Sequence, residues 1–394
     1  MTGSASTDPS PAEAALQVPL RNVALLFLKL GTTAFGGPAA HIAMMEDEFV
    51  TRRHWLTREQ FLDRLAAANL IPGPSSTEMA IFIGYEKRGW PGLLVAGCAF
   101  ILPAAIMVGA IAWAYVRYGA LPQVSGILYA LKPVVIAIVV QAFWKLGRTA
   151  LKTRWLALVG LVAAVLYAMR VHEILVLLLA ALLALVPLIF HDLRRLRRVS
   201  ALVLVPRVPA RLFGVLAAAV APFGFWRLFL VFAKIGAVLF GSGYVLLAFL
   251  RADLVDRLHW LTERQLLDSV AIGQITPGPV FTTATFIGYL IGGVRGAVAA
   301  TVGIFAPAFV FVALSGLVIP RIRRSKIAGV MLDGVVVGSL ALMGVVAWQL
   351  GRAAIIDWAT LLIAVVSAAL LLTLRVNSAW LIAAAAVFGW LYRG

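Results

Sequence analysis

Long apolar runs separated by short charged clusters set the pattern of this chain. An apolar run from Val23 reaches Met45, interrupted at Gly31 and at Gly36-Gly37-Pro38, and the charged residues Glu46, Asp47, Glu48, Arg52 and Arg53 follow it. Proline removes an amide donor and clashes with the preceding turn, so this first helix is expected to kink or unwind near Pro38. Leu56-Thr57-Arg58-Glu59-Gln60 opens an amphipathic helix, with Thr57 as its N-cap and Gln60 completing a capping box. Phe61, Leu65 and Ala68 mark one face of it, Arg58, Asp63 and Arg64 the other. It is too short and too polar to span a bilayer, and Pro72-Gly73-Pro74 breaks it. A second short helix, over 75–86, returns toward Lys87 and Arg88. Two half-length helices around such a breaker predict a re-entrant hairpin, which a membrane tolerates only inside protein or against a cavity. Apolar runs at 91–116, 126–146, 155–168 and 172–190 complete this part of the chain.

The whole order then recurs. Phe27-Leu28-Lys29-Leu30-Gly31 has its counterpart in Phe232-Ala233-Lys234-Ile235-Gly236, and Phe35-Gly36-Gly37-Pro38 in Phe240-Gly241-Ser242-Gly243. Trp55-Leu56-Thr57 returns as Trp260-Leu261-Thr262, Pro72-Gly73-Pro74 as Pro277-Gly278-Pro279, and Phe82-Ile83-Gly84-Tyr85 as Phe286-Ile287-Gly288-Tyr289. The offset is 205 as far as the Pro-Gly-Pro and 204 beyond it. The predicted fold is therefore all-α and polytopic, with about 10 transmembrane helices at roughly 20 residues each. They fall in two repeats of about five, each carrying a re-entrant hairpin broken at Pro-Gly-Pro. An odd span count per repeat forces opposite insertion of the two copies, the inverted topology of secondary transporters. The expected divisions are a disordered tail at 1–20, an N-terminal repeat at 21–190, a basic linker at 191–224 and a C-terminal repeat at 225–394.

Composition narrows the picture further. The chain is 62% hydrophobic and 13% charged, which excludes an ordinary soluble domain. A net charge of +17 invites a nucleic-acid reading, but no basic stripe with interleaved aromatics supports one. Basic residues gather instead on one predicted side, among them Arg52, Arg53, Arg88, Arg148 and Arg194, which makes that side cytoplasmic and both termini outward-facing. The single cysteine, Cys98, rules out an intrachain disulfide and any cysteine-built metal site. The five histidines show no metal spacing, and no nucleophile elbow, P-loop or HExxH is present.

Candidate chemistry centres on the two breakers. Pro74 suits the first helical position, and Ser75 and Glu78 have capping-box spacing. A half-helix N-terminus offers unpaired N–H groups and the positive end of a dipole, which together form an anion site. Ser75, Ser76 and Thr77 add hydroxyls in one copy, Thr282 and Thr283 in the other. The plain alternative is that Pro-Gly-Pro merely turns the chain. Lys29 and Lys234 stand at matching positions in their apolar runs, as anion-attracting groups or as snorkelling surface lysines. The glycine breaks at 36–38 and 241–243 serve unwinding or helix packing. Glu78 has no acidic counterpart, and Glu46 corresponds to Arg251. These asymmetries make Glu78, Glu46 and His41 candidates for coupling or selectivity, against capping and surface charge as alternatives.

The combination of Phe35-Gly36-Gly37-Pro38, Trp55-Leu56-Thr57, Pro72-Gly73-Pro74 and Gly84-Tyr85, with their second copies, resembles the chromate ion transporter family in its long two-domain form. The resemblance covers Asn22 to Leu391, and it departs where Ser242-Gly243 replace Gly37-Pro38. It implies chromate as the cargo, sulfate as a competitor, efflux through the bacterial inner membrane that confers resistance, and no cofactor. Composition and spacing alone give only a membrane carrier for an anion. A sulfate or organic-anion carrier stays open, as does a membrane enzyme acting on a phosphorylated lipid through the same half-helices. Homodimerisation is left open. A dianion leaving a negative interior gains about 4.6 kcal/mol per 100 mV, enough for roughly a thousandfold gradient without ATP.

Overall fold

The computed structural model describes residues 18–119, 121–189, 224–240, 243, 245–374 and 376–393. The expected tail and basic linker, together with Gly241 and Ser242, lie almost wholly outside the described residues. Those residues are helical throughout, with no strand among them. The first copy runs through α1 (Leu20–Thr33), α2 (Gly37–Glu46), α3 (Arg58–Ala68), α4 (Ser75–Tyr118), α5 (Pro122–Ala150), α6 (Arg154–Ala168) and α7 (Glu173–Ala184). The second runs through α8 (Phe225–Val238), α9 (Leu246–Leu250), α10 (Glu263–Ile275), α11 (Thr283–Arg324), α12 (Lys326–Ala354), α13 (Trp358–Leu372) and α14 (Ser378–Arg393). Among them, α4, α5, α12 and the stretch Val280–Gly316 are long and apolar enough to cross a membrane. Large apolar side chains such as Ile106, Leu161, Leu362 and Val387 lie on the surface, as expected of helices solvated by lipid.

Each copy begins with a helix that breaks. In the first, α1 stops at Thr33 and the chain restarts as α2 after Gly36. In the second, α8 stops at Val238, with Leu239 extended. Beyond each break lies a π-helical segment, Asp47–Arg52 or Arg251–Arg257. It ends on a histidine in the left-handed region, His54 at φ 52° and His259 at φ 51°. The capping boxes expected at the next helices both form: Thr57 with Gln60, and Thr262 with Gln265.

A helix–breaker–helix unit follows. The second arm ends where the chain reverses, at Arg88-Gly89 in α4 and Gly292-Gly293 in α11. Gly89 and Gly293 take φ 56° and 58° with ψ near −145°, a region open essentially to glycine alone. A Cβ on Gly84 would strike the Gly92 carbonyl, so the arms lie tightly side by side.

The two copies interlock. Helix α1 lies along α4 and α8 along α11, while α4 and α11 pack on each other. Helix α5 packs against α13 and α14, which belong to the other copy, and α12 reciprocally packs against α6 and α7. Gly334 of α12 sits so close to the Ala180 carbonyl that a Cβ would clash, the small-residue contact usual between apolar helices. The largest continuous core runs through both copies, from Val134 and Val176 to Phe232, Phe305 and Leu342.

Candidate functional site at two breaks and two hairpin tips

The Pro-Gly-Pro tips do not rest on their own copy. The Gly73 amide donates to the Leu239 carbonyl at 2.8 Å, and the Gly278 amide donates to the Ala34 carbonyl at 2.9 Å. Donor and acceptor are each related by the same offset of 205, so every tip docks into the broken first helix of the opposite copy. The breaks free these carbonyls for the purpose: Ala34 and Leu239 are the extended residues just past the last helical turn. Gly73 and Gly278 have φ 139° and 93°, and a Cβ on Gly278 would lie 2.7 Å from Ala104 Cβ and 2.9 Å from the Gly31 carbonyl. The breaks also meet each other, because a Cβ on Gly243 would reach Pro38 at 3.7 Å and Val280 at 3.7 Å.

The first tip carries the polar groups. Pro74 is the N-cap of α4 rather than its first helical residue, and no side chain caps it. Thr77 and Glu78 donate their amides to the Pro74 carbonyl, at 2.7 and 3.0 Å. The Ser75 and Ser76 amides precede that first turn and have no intrahelical acceptor. The capping box expected between Ser75 and Glu78 does not form. Glu78 is instead fully buried, with both carboxyl oxygens lacking a partner among the described residues, and it backs onto Gly73, where a Cβ would collide with its Oε1. The Thr77 hydroxyl is also buried without a partner among the described residues. An ionised carboxylate without partners is very costly to bury.

His41 joins these parts. Its Nε2 lies 3.1 Å from the Ala34 carbonyl and its Nδ1 lies 3.3 Å from Ser76 Oγ. A carbonyl only accepts, so Nε2 carries a proton, and in the neutral imidazole Nδ1 then accepts from the serine. One buried imidazole thus links the first break to the first tip, and shares its carbonyl with the second tip.

The second tip is built differently. Thr282 and Thr283 donate their hydroxyls to the Pro279 and Val280 carbonyls, at 2.7 and 2.8 Å, within a short 3₁₀ turn. Their hydroxyl protons are thereby committed to the backbone. Gly36 is exposed beside the tip region, whereas Gly37 is buried.

Lys29 and Lys234 pair away from the tips. Lys29 Nζ lies 3.5 Å from Glu48, and Lys234 Nζ lies 2.6 Å from Asp253, the matching position in the second copy. The Arg53 guanidinium, 2.7 Å from Glu48, holds that carboxyl below the usual carboxylate range, with Lys29 adding to the effect. The second pair is more enclosed, and Arg257 and the buried Glu173 join it. Glu46 pairs with Arg58 at 3.6 Å, while the counterparts Arg251 and Glu263 pair at 2.5 Å with their charges exchanged. Glu46 therefore fastens the end of α2 to the start of α3.

Sequence reasoning also passed over a buried group between the copies. Lys132 of α5 lies 2.9 Å from the fully buried Asp268 of α10, and the Tyr115 hydroxyl donates to the same carboxylate at 2.8 Å. A lysine inside an apolar run, next to Pro133, was the available sign.

A duplicated set of apolar helices, with each Pro-Gly-Pro bonded to the broken first helix of the other copy, is that of a helical membrane protein. The chain belongs to the chromate transporter family, which matches it twice, over residues 21–185 and 226–390. It is similar to a chromate transport protein of Cupriavidus metallidurans, 33% identical over 325 residues, 82% of this chain and 80% of the relative. A probable chromate transport protein of Synechococcus elongatus is 31% identical over 323 residues, 81% of each chain. A chromate transport protein of Pseudomonas aeruginosa is 33% identical over 330 residues, 80% of this chain and 77% of the relative. No solved structure matches the chain.

Proposed function

We propose that this protein is a secondary carrier that exports chromate across the bacterial inner membrane, driven by the membrane potential, a proton gradient or both. Chromate as the cargo follows from the family and from the names of the relatives. Residues 21–190 and 225–394 act as two repeats of inverted topology, the 191–224 linker is cytoplasmic, and the termini face the periplasm. The two Pro-Gly-Pro hairpins enter the membrane from opposite sides and meet at its middle, where the anion binds. The reciprocal pair of bonds, Gly73 to Leu239 and Gly278 to Ala34, carries this reading. It puts both tips and both breaks at one centre, with the free N-terminal amides of α4 beside it. A tetrahedral dianion accepts many hydrogen bonds, and the Ser75 hydroxyl with the Ser75 and Ser76 amides at the start of α4 are the donors at hand. Glu78 exchanges a proton during the cycle, with His41 as a second candidate for coupling.

Chromate uptake into everted membrane vesicles tests the function, with sulfate added as competitor. Wild-type uptake that sulfate inhibits is expected. No chromate uptake would refute the function, and sulfate uptake in its place would make the protein a sulfate carrier. A reporter fused at residue 200 is expected to read as cytoplasmic; a periplasmic reading would overturn the topology.

A further inference from the structure

Lys132, paired with Asp268 behind it, lines a cavity of about 310 Å³ together with Ser125, Tyr129, Arg264 and the apolar Leu267 and Ile356. Three features set the pair apart from an ordinary structural ion pair. Asp268 has no exposed surface, while Lys132 keeps 14% of its side chain exposed, so the cation and not the carboxylate faces the opening. A second cation, Arg264, stands at the exposed lip one turn before Asp268 on α10. The arrangement is also one-sided in a chain that otherwise repeats itself. The counterparts of Lys132, Tyr115 and Arg264 are Val336, Ile319 and Glu59. Of the set only Asp268 is duplicated, as Asp63, and that residue lies beside Arg64 at 3.7 Å.

Asp268 also connects the cavity to the site already described. It lies on α10, eight residues before Thr276 at the root of the second tip, about 12 Å at 1.5 Å per residue. A carboxylate held by a lysine and a tyrosine hydroxyl occupies the same donors that a tetrahedral oxyanion needs.

We propose that this cavity is a second anion site, in which a dianionic tetrahedral oxyanion binds Lys132 and Arg264 in competition with the Asp268 carboxylate. The proposal rests on the reading of the chain as an anion carrier. Anion arrival loosens α10 from α5, and α10 carries the Gly278 tip. One hairpin is therefore tethered to the opposite copy by a bond that the cargo itself can replace.

The test is the half-saturation concentration for chromate uptake into everted vesicles. Lys132→Gln is expected to raise it by about tenfold or more, since a buried charge partner is lost, and Lys132→Arg to keep it near wild type. Asp268→Asn is expected to lower it several-fold, because the competing carboxylate is gone while Lys132 remains. Sulfate's inhibition constant should move in parallel with the chromate value. A purely structural pair behaves otherwise: Lys132→Gln and Asp268→Asn both lose uptake, and the exchanged pair Lys132→Asp with Asp268→Lys restores it. That outcome overturns the proposal. Arg264→Gln removes an exposed side chain and leaves the fold intact even where buried variants do not assemble. It is expected to raise the half-saturation concentration several-fold, and an unchanged value also overturns the proposal. Absent wild-type uptake would instead refute the carrier reading, so the two failures are distinguishable.

Discussion

At the scale of single residues, the two copies share geometry and divide the chemistry. The tip glycines bond in the same way on both sides, yet among the described residues only the first tip holds an acid, a threonine hydroxyl without a partner and a histidine partner. Leu246 occupies the position matching His41, and threonines stand where Glu78 would recur. This division predicts a separable role for Glu78. Glu78→Gln replaces the buried carboxyl with an amide of the same shape, so folding in detergent should be unchanged. Chromate uptake in vesicles should then lose its response to an imposed pH gradient. A variant that responds to the gradient as wild type does would remove Glu78 from the coupling step. The tips, the breaks and the repeated lysines were all visible in the sequence, because proline, glycine and intramembrane charge are local signs. The destinations of Lys29 and Lys234 were not. Their partners lie 19 residues away on π-helical segments that no apolar periodicity marks.

At the scale of elements, the sequence predicted α3 and α10 well because their ends carry complete capping boxes. Substituting Thr57 or Thr262 with Ala should each cost about 1 kcal/mol of stability, read as a lower melting temperature in detergent. The helices are far apart in sequence and belong to different copies, so the double variant should lose the sum. The Ser75–Glu78 spacing looked the same on paper and gave no cap. Burial of the first tip against the other copy removes Glu78 from its own backbone, and only the tertiary arrangement decides that. His54 and His259 precede Trp55 and Trp260 in the two copies. Their left-handed backbone follows the π-helical segments and turns the chain toward the capped helices.

At the scale of the whole molecule, the copies are exchanged rather than merely adjacent. Long helices α5 and α12 each find their partners in the opposite copy, and each tip does the same. Sequence repetition gave the two units but not this exchange, since the pairing joins residues more than 160 positions apart, as Gly73 to Leu239 does. Neither copy then buries its own long helix alone. Two fragments divided within 191–224 should restore chromate uptake when co-produced, and each alone should give none. Uptake by one fragment alone would contradict the interlocked arrangement.

The central claim is that both tips build one anion site by seating in the opposite breaks. Chromate uptake into everted vesicles by Gly73→Ala and Gly278→Ala, each beside Gly329→Ala, tests it most directly. Gly329 is helical with open space around its Cβ position, while a Cβ at either tip strikes a neighbour and requires a strained positive φ. Uptake should be lost in both tip variants and stay at the wild-type level for Gly329→Ala. Wild-type uptake by both tip variants would contradict the account.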